Sequence, residues 1–334
     1  MIVLGIESSC DETSVAVLKD GCVLSSRTHS QDEHSLYGGV VPEVASRAHL
    51  EKIDILTKRV LDECGLAARS LDLIAVTDSP GLAGALLVGV SFALGLHTAY
   101  GIPITGVNHL EGHICSLFIE HKNIEAPFLV LLASGGHTAI YRYEQSGNCR
   151  CLGQTVDDAA GEAFDKVGKL LGFPYPAGRA IEEEASKVSG FKETEKITFP
   201  VARFSSQKTL DFSFSGLKTA VKNFILTNTG QYIKENRPQI CRAFQKAVAT
   251  SLINNLWAAS ENCGIKTAAL AGGVACNGYL REELKTRFGA DNVFFPSPAL
   301  CTDNGAMIAM AGLKMYNSNR TRFPDMDPAR GINM

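Results

Sequence analysis

His109 and His113 stand four residues apart in the run Asn108-His109-Leu110-Glu111-Gly112-His113. On a helix, residues at i and i+4 share a face, one turn apart. Two imidazoles so placed can ligate one transition metal. A histidine pair alone is often accidental, so a third ligand is required. Asp303 is the carboxylate expected to supply it, because it reads as opening a helix with the small polar neighbours Thr302 and Asn304. Two histidines and one carboxylate leave coordination positions open for substrate, as at Fe(II) and catalytic zinc sites. A zinc protease is discounted: H-E-x-x-H places its general base directly after the first histidine, where this chain has Leu110.

Three polar or glycine-rich turns close strands: ESSCDET from Glu7, ASGGHT from Ala133 and AGGVACN from Ala271. Short side chains let backbone N–H groups face an anion, and a following helix adds its positive end. The set points to a nucleotide held by its phosphates; the alternative is three ordinary tight turns. The sequence argues against a P-loop and a dinucleotide fold, since neither G-x-x-x-x-G-K-[ST] nor G-x-G-x-x-G after the first strand is present.

The elements that must carry these residues follow from periodicity. Ile2 to Glu7, Thr13 to Leu18 and Cys22 to Thr28 read as a β-meander, with an Asp20-Gly21 turn. Ile53, Leu56, Val60 and Leu61 have helical spacing. Leu71 to Thr77 reads as a buried strand, Leu82 to Tyr100 as a core helix broken by glycines, and Ile104 to Val107 as a strand opening onto His109. The pattern then restarts, with strands at Phe128 to Ala133, Thr138 to Tyr143 and Cys149 to Gln154. Later strands are read at Ala268 to Ala271 and Asn292 to Phe295. The two starts share a strand–polar turn–strand plan, which suggests duplicated α/β lobes with a nucleotide cleft between them. The lobes are expected at residues 1–125 and 126–334, the second with a helical insertion around 175–235 and a loosely held tail beyond Ser318.

Composition narrows the setting. A chain of 334 residues, 45% hydrophobic and 20% charged, suits a folded globular protein. The N-terminus has no basic leader, which argues against a secretory signal. Ten cysteines without a C-x-x-C suggest a reducing cytosol rather than a disulfide framework. The net charge of −3 does not mark a polyanion binder. Between Lys187 and Lys246, however, eleven basic residues face four acids, a local +7. Such a stretch can recruit nucleic acid, or simply be solvated helix surface.

The motifs GIESSCDETSVAV, VTDSPGLAGALLVG, NHLEGH, LLASGGHT, GEAFDKVGKLLG, DFSFSGLKTA, AGGVACNGYLR and CTDNGAM, in this order from about Ile2 to Gly312, resemble the TsaD family. These are tRNA N6-adenosine threonylcarbamoyltransferases. The resemblance implies the actin/Hsp70/sugar-kinase (ASKHA) fold. It implies a donor, threonylcarbamoyl-adenylate, and an acceptor, the N6 amine of the adenosine just 3′ of the anticodon (position 37) in tRNAs reading codons that start with A. AMP is released. Carried over motif by motif, His109, His113 and Asp303 would bind one divalent metal, Fe2+ first and Zn2+ as an alternative. Leu132, Ala133, Ser134, Gly135 and Gly136 would line the donor site. Asp165, Gly178, Glu182 and Asn277 match positions that contact donor or nucleotide. Where the family usually reads P-G-G-P-x-I-D, this chain has Pro176-Ala177-Gly178-Arg179-Ala180-Ile181-Glu182, which puts the role of Glu182 in doubt.

Attack on the donor carbonyl requires loss of the amine proton. Asp11 or Glu12, at the first turn, could accept it; capping of that turn is the other reading. The resemblance also implies partners: tRNA, a TsaB-like two-lobed paralogue and a TsaE-like ATPase, with no membrane and a cytoplasmic location. The basic stretch, with Lys208 and Lys218, is a candidate part of the tRNA surface. A kinase or ATPase of the same fold, and a non-catalytic scaffold, are the competing readings.

Overall fold

Short apolar runs separated by turn residues build the first sheet. Strands β1 (Ile2–Glu7), β2 (Glu12–Lys19) and β3 (Cys22–Ser30) form the expected antiparallel meander, and Asp20 and Gly21 take positive φ at its turn. Then follow α1 (Pro42–Glu63), β4 (Leu73–Ser79), α2 (Ala83–Tyr100), β5 (Ile104–Asn108) and α3 (His109–Glu120). The order is β3-β2-β1-β4-β5, with β1, β4 and β5 parallel. Every residue of β4 is buried, as expected of a strand covered on both faces. Helix α2 is long and apolar enough to cross a membrane. Here its Ala85, Leu86, Gly89, Val90 and Ala93 are buried, and it packs on α1 and β4.

The plan then repeats. Strands β6 (Phe128–Ala133), β7 (Thr138–Tyr143) and β8 (Cys149–Gln154) precede α4 (Ala160–Leu170), α5 (Gly178–Ser186), α6 (Ser215–Thr227), α7 (Gly230–Glu235) and α8 (Arg237–Cys263). Next come β9 (Ala268–Ala271), α9 (Gly278–Phe288) and β10 (Val293–Phe294). The second sheet, β8-β7-β6-β9-β10, has the order of the first, strand for strand. The chain closes with α10 (Pro298–Cys301) and α11 (Gly305–Asn317).

These coordinates come from a computed structural model, which describes residues 1–37, 39–188, 197–201 and 209–330. Two units result. One comprises Met1–Ala126, Tyr143–Arg150 and Pro296–Met334, the other Pro127–Arg142 and Cys151–Phe295. The division drawn from sequence at residue 125 assigns the last helix to the second lobe. In the structure α11 packs on β1, β2, β4 and α3 of the first unit. All ten cysteines lie among the described residues, and none forms a disulfide.

Helix α11 approaches β1 closely. A Cβ on Gly5 would lie 2.1 Å from the Gly305 carbonyl oxygen and 2.5 Å from the Ala309 nitrogen. The Gly305 N–H donates to Ser14 Oγ at 2.8 Å. This contact brings the start of α11, and Asp303 with it, to the end of β1. Gly5→Ala is therefore expected to cost about 2 kcal/mol through overpacking. Urea unfolding would show a lowered midpoint, with Gly216→Ala, where a Cβ meets nothing within 4 Å, as the control.

Candidate active site

The first turn is built by hydrogen bonds from several elements. Fully buried His49 of α1 places Nε2 2.9 Å from the Cys10 carbonyl oxygen and Nδ1 2.8 Å from Thr13 Oγ1. Burial, the largest influence, lowers the His49 pKa, so the neutral ring donates to the carbonyl and accepts from the hydroxyl. Ser8 Oγ donates to the Ala85 carbonyl of α2 at 3.1 Å.

At the end of β1 stands Glu7, fully buried. Its Oε1 accepts the Ser9 N–H at 2.6 Å, and its Oε2 accepts Thr77 Oγ1 at 2.6 Å. The same Oε2 lies 3.0 Å from His109 Nδ1. Ser9 Oγ is 3.1 Å from that nitrogen. A carboxylate on Nδ1 holds the imidazole so that Nε2 faces away from Glu7. His109 Nε2 is 3.5 Å from Asp303 Oδ1, and His113 Nε2 is 3.1 Å from the same oxygen.

Helix α3 begins at His109 because Asn108 caps it: Asn108 Oδ1 accepts the Leu110 and Glu111 N–H groups at 2.9 and 3.3 Å. The two rings face one another edge-on, with centroids 4.7 Å apart. Asp303 arrives from the opposite end of the chain. The sequence reading places it in the first turn of a helix, and the structure corrects this. Asn304 is the cap of α11, accepting the Met307 N–H at 2.8 Å, so Asp303 lies one residue outside the helix.

The three ligand atoms lie within 4.8 Å of one another. Both ring nitrogens of His113 are buried and make no hydrogen bond among the described residues. A buried nitrogen left unsatisfied is costly, and a metal ion at Nε2 would remove that cost for this atom. The residues thus fit a divalent ion bound by two imidazoles and a carboxylate.

Electrostatics agree. Burial alone would depress the His109 pKa, but Asp303 and Glu7 outweigh it and raise it to about 9. Glu7 is held below the usual carboxylate range: burial opposes this, and the charge and hydrogen bond of His109 prevail. Glu12 is pushed up to about 10 by burial, then by Asp303 and Asp11. Burial and Asp11 also push the Cys10 thiol far up, which makes Cys10 a poor nucleophile. Glu7 and Asp303 beside the two imidazoles form a site that favours a cation.

The second unit holds the remaining predicted residues. Leu132 and Ala133 end β6, fully buried, and the exposed Gly135 and Gly136 form the turn after Ser134. The turn is fixed by the Ser134 N–H donating to the His137 carbonyl at 2.8 Å and the Gly161 N–H of α4 donating to the Ser134 carbonyl at 3.1 Å. Asp165 of α4 accepts the Ala177 N–H at 2.7 Å and so anchors the start of α5, where Gly178 is the first residue. Glu182 Oε1 accepts the Gly278 N–H at 2.6 Å. Asn277 caps α9 through the Leu280 N–H at 2.9 Å and donates to Gln245 Oε1 at 2.9 Å. Asp165 and Gly178 are thereby neighbours, as are Glu182 and Asn277. The substituted loop is accommodated locally, because the Ala177 methyl occupies the space a Cβ on Gly168 would need, 2.1 Å away.

Two carboxylates escaped the sequence reading here. Asp157 accepts from the Phe214 and Ser215 N–H groups and from the Ser213 and Ser215 hydroxyls. Asp158 pairs with Lys166 at 2.7 Å and with Lys218 at 2.6 Å. They tie the DFSFSGLK motif to the turn before α4. Lys218 is therefore held in an internal ion pair; Lys208 lies outside the described residues.

The family model described as TsaD, tRNA N6-adenosine threonylcarbamoyltransferase, matches residues 22–310. The chain belongs to the TsaD family. The tRNA N6-adenosine threonylcarbamoyltransferase of Thermosipho africanus is 47% identical over 321 residues, 95% of this chain and 94% of its own. That of Geobacter sp. (strain M21) is 49% identical over 319 residues, 93% and 90% of the two chains. The activity is threonylcarbamoyl transfer to N6 of adenosine in tRNA. Among solved structures, HypF of T. kodakarensis aligns with a TM-score of 0.63 at 14% identity, over 97% of this chain and 48% of that one. Component A of the (R)-2-hydroxyglutaryl-CoA dehydratase of Acidaminococcus fermentans aligns at 0.56 and 16%, over 95% and 99%. These likenesses establish the ASKHA fold.

The Glu7–His109 pair predicts a pH signature in chelator-treated protein. The His109 pKa lies above its ordinary 6.5, so its contribution to stability is complete below pH 6.5 and is lost as pH rises through about 9. Thermal melts across this range should show that decline in the wild type and a flatter profile in Glu7→Gln. Glu7→Ala should also weaken metal binding by about 10- to 100-fold.

Proposed function

We propose that the donor is threonylcarbamoyl-adenylate, that the acceptor is the adenosine just 3′ of the anticodon, and that AMP leaves. The observation that carries the metal part of this reading is the convergence of His109, His113 and Asp303, with a buried His113 Nε2 that faces Asp303 and makes no hydrogen bond among the described residues. These three residues would hold one divalent ion, Fe2+ by preference, with Zn2+ able to take the same donors. When bound, the ion would polarise the donor's carbonyl or fix its carboxylate.

In the second unit, the Ser134-Gly135-Gly136 backbone is suited to a phosphate, which is the leaving group of this donor. Asp165, Gly178, Glu182 and Asn277 would recognise the rest of the nucleotide; the bonds of Asp165, Glu182 and Asn277 to Ala177, Gly278 and Gln245 support a pre-formed arrangement. Glu182 has an oxygen to offer a ribose hydroxyl, and its bond to the Gly278 N–H supports its inclusion despite the altered loop. An adenine amine is a weak nucleophile, so positioning must supply much of the rate. Asp11 or Glu12 at the first turn would accept the amine proton; without a metal, burial, then Asp303 and Asp11, push Glu12 up to about 10.

The resemblance supports a TsaB-like paralogue and a TsaE-like ATPase as partners, and a tRNA substrate supports a cytoplasmic site of action. Lys222, exposed on α6, is a better candidate for tRNA contact than Lys218.

His109→Ala is expected to retain its circular dichroism spectrum and lose transfer by more than about a hundredfold. Mass spectrometry of tRNA nucleosides after reaction with synthetic threonylcarbamoyl-adenylate checks this. Full activity of metal-stripped His109→Ala would remove the metal from the reaction. Phosphate transfer from ATP to a small acceptor, without AMP release from the adenylate, would favour a kinase instead.

A further inference from the structure

The polar segment after α11 has the composition of a loosely held tail, yet residues 320–330 are bound at several points. Arg320 Nη2 lies 3.3 Å from Glu111 Oε1. The Arg322 guanidinium forks onto Asp78, with Nη1 on Oδ2 and Nη2 on Oδ1, the latter at 2.7 Å. The Asp325 N–H donates to Asp78 Oδ2 at 3.0 Å, and the Asp327 N–H to the Asp78 carbonyl at 3.1 Å. The Gly106 N–H donates to the Arg322 carbonyl at 3.0 Å. Finally, Asn108 Nδ2 donates to the Arg330 carbonyl at 3.1 Å.

The composition is overruled by one group. Asp78 is fully buried at the end of β4. A buried carboxylate requires a charged partner and filled lone pairs, and the tail supplies both.

The three anchors share a destination. Asn108 caps α3 with its oxygen and gives its amide nitrogen to the tail. Glu111 stands on the same helical turn, between His109 and His113. Asp78 precedes Ser79, which pairs with Asn108 across β4 and β5. Each contact therefore fixes the first turn of α3, the turn that presents the two imidazoles.

We propose that Arg320–Arg330 is a strap that positions the His109/His113 pair, with Arg320 and Arg322 as its positioning residues. This rests on the reading of the pair as metal ligands. The strap touches neither imidazole directly. It holds the cap and the backbone from which the imidazoles project, so loosening it costs geometry at the ligands as well as stability. A carboxylate or amide that orients a ligand commonly changes metal affinity 10- to 100-fold, and a strap acting through the helix start should fall near the lower end.

The test uses full-length protein loaded with Co2+, whose visible absorption reports ligand geometry. Arg320→Ala and Arg322→Lys are chosen because both keep the fold within reach; Arg322→Lys retains the charge but loses the fork. Both should bind Co2+ about tenfold more weakly than wild type, by competition with a chromogenic chelator. Their Co2+ spectra should shift, and the rise in Tm on adding Co2+ should shrink. If both variants melt earlier but bind Co2+ with unchanged affinity and spectrum, the strap is structural only and the proposal is overturned. His113→Ala separates the two readings. Loss of Co2+ binding in His113→Ala beside unchanged strap variants overturns the strap alone, whereas wild-type binding in His113→Ala overturns the metal reading and the strap with it.

Discussion

The contact between Glu7 and His109 is the constraint on which the rest of the first unit depends. A fully buried carboxylate must be satisfied, and this one has the Ser9 N–H, the Thr77 hydroxyl and an imidazole nitrogen. Satisfying it fixes His109 at one nitrogen and aims the other at Asp303. The neighbouring features serve the same geometry. Gly5 lets α11 approach β1, which delivers Asp303. Asn108 starts α3 at the residue that makes His109 its first member. His49 holds the turn that carries Asp11 and Glu12.

The second unit solves a different problem. Its predicted site residues carry polar groups that must find partners within the unit. The solution is to occupy one side of each group locally. Asp165 holds the Ala177 N–H, Glu182 the Gly278 N–H, and Asn277 both caps α9 and joins Gln245. Capping and the joining of neighbouring elements thus use the same polar side chains. Asp157 and Asp158 give the DFSFSGLK motif its anchor, which explains its polar residues without assigning them to chemistry.

Much of this was legible in the chain itself. The strand–turn–strand repeat announced both sheets, because alternation and turn residues are local signals, and the three strands from β6 to β8 agree with it to the residue. The histidine spacing announced a shared helical face. Helix boundaries set by side-chain capping were less legible. Thr302, Asp303 and Asn304 are all competent caps, and only the fold selects Asn304. Glu7 was missed because a carboxylate ending an apolar strand looks like the start of a polar turn. Its partner lies 102 residues away. The tail was misread for the same reason, since Asp78 and Arg322 are 244 residues apart and composition carries no trace of their pairing.

In the proposed metal centre, His109, His113 and Asp303 bind one ion through the outward nitrogens of both imidazoles. Anomalous diffraction from crystals of metal-loaded protein tests this most directly. A single strong peak is expected about 2.0–2.2 Å from His109 Nε2, His113 Nε2 and an Asp303 carboxylate oxygen, with His109 Nδ1 still on Glu7. A peak elsewhere, or one bound through His109 Nδ1, would contradict it.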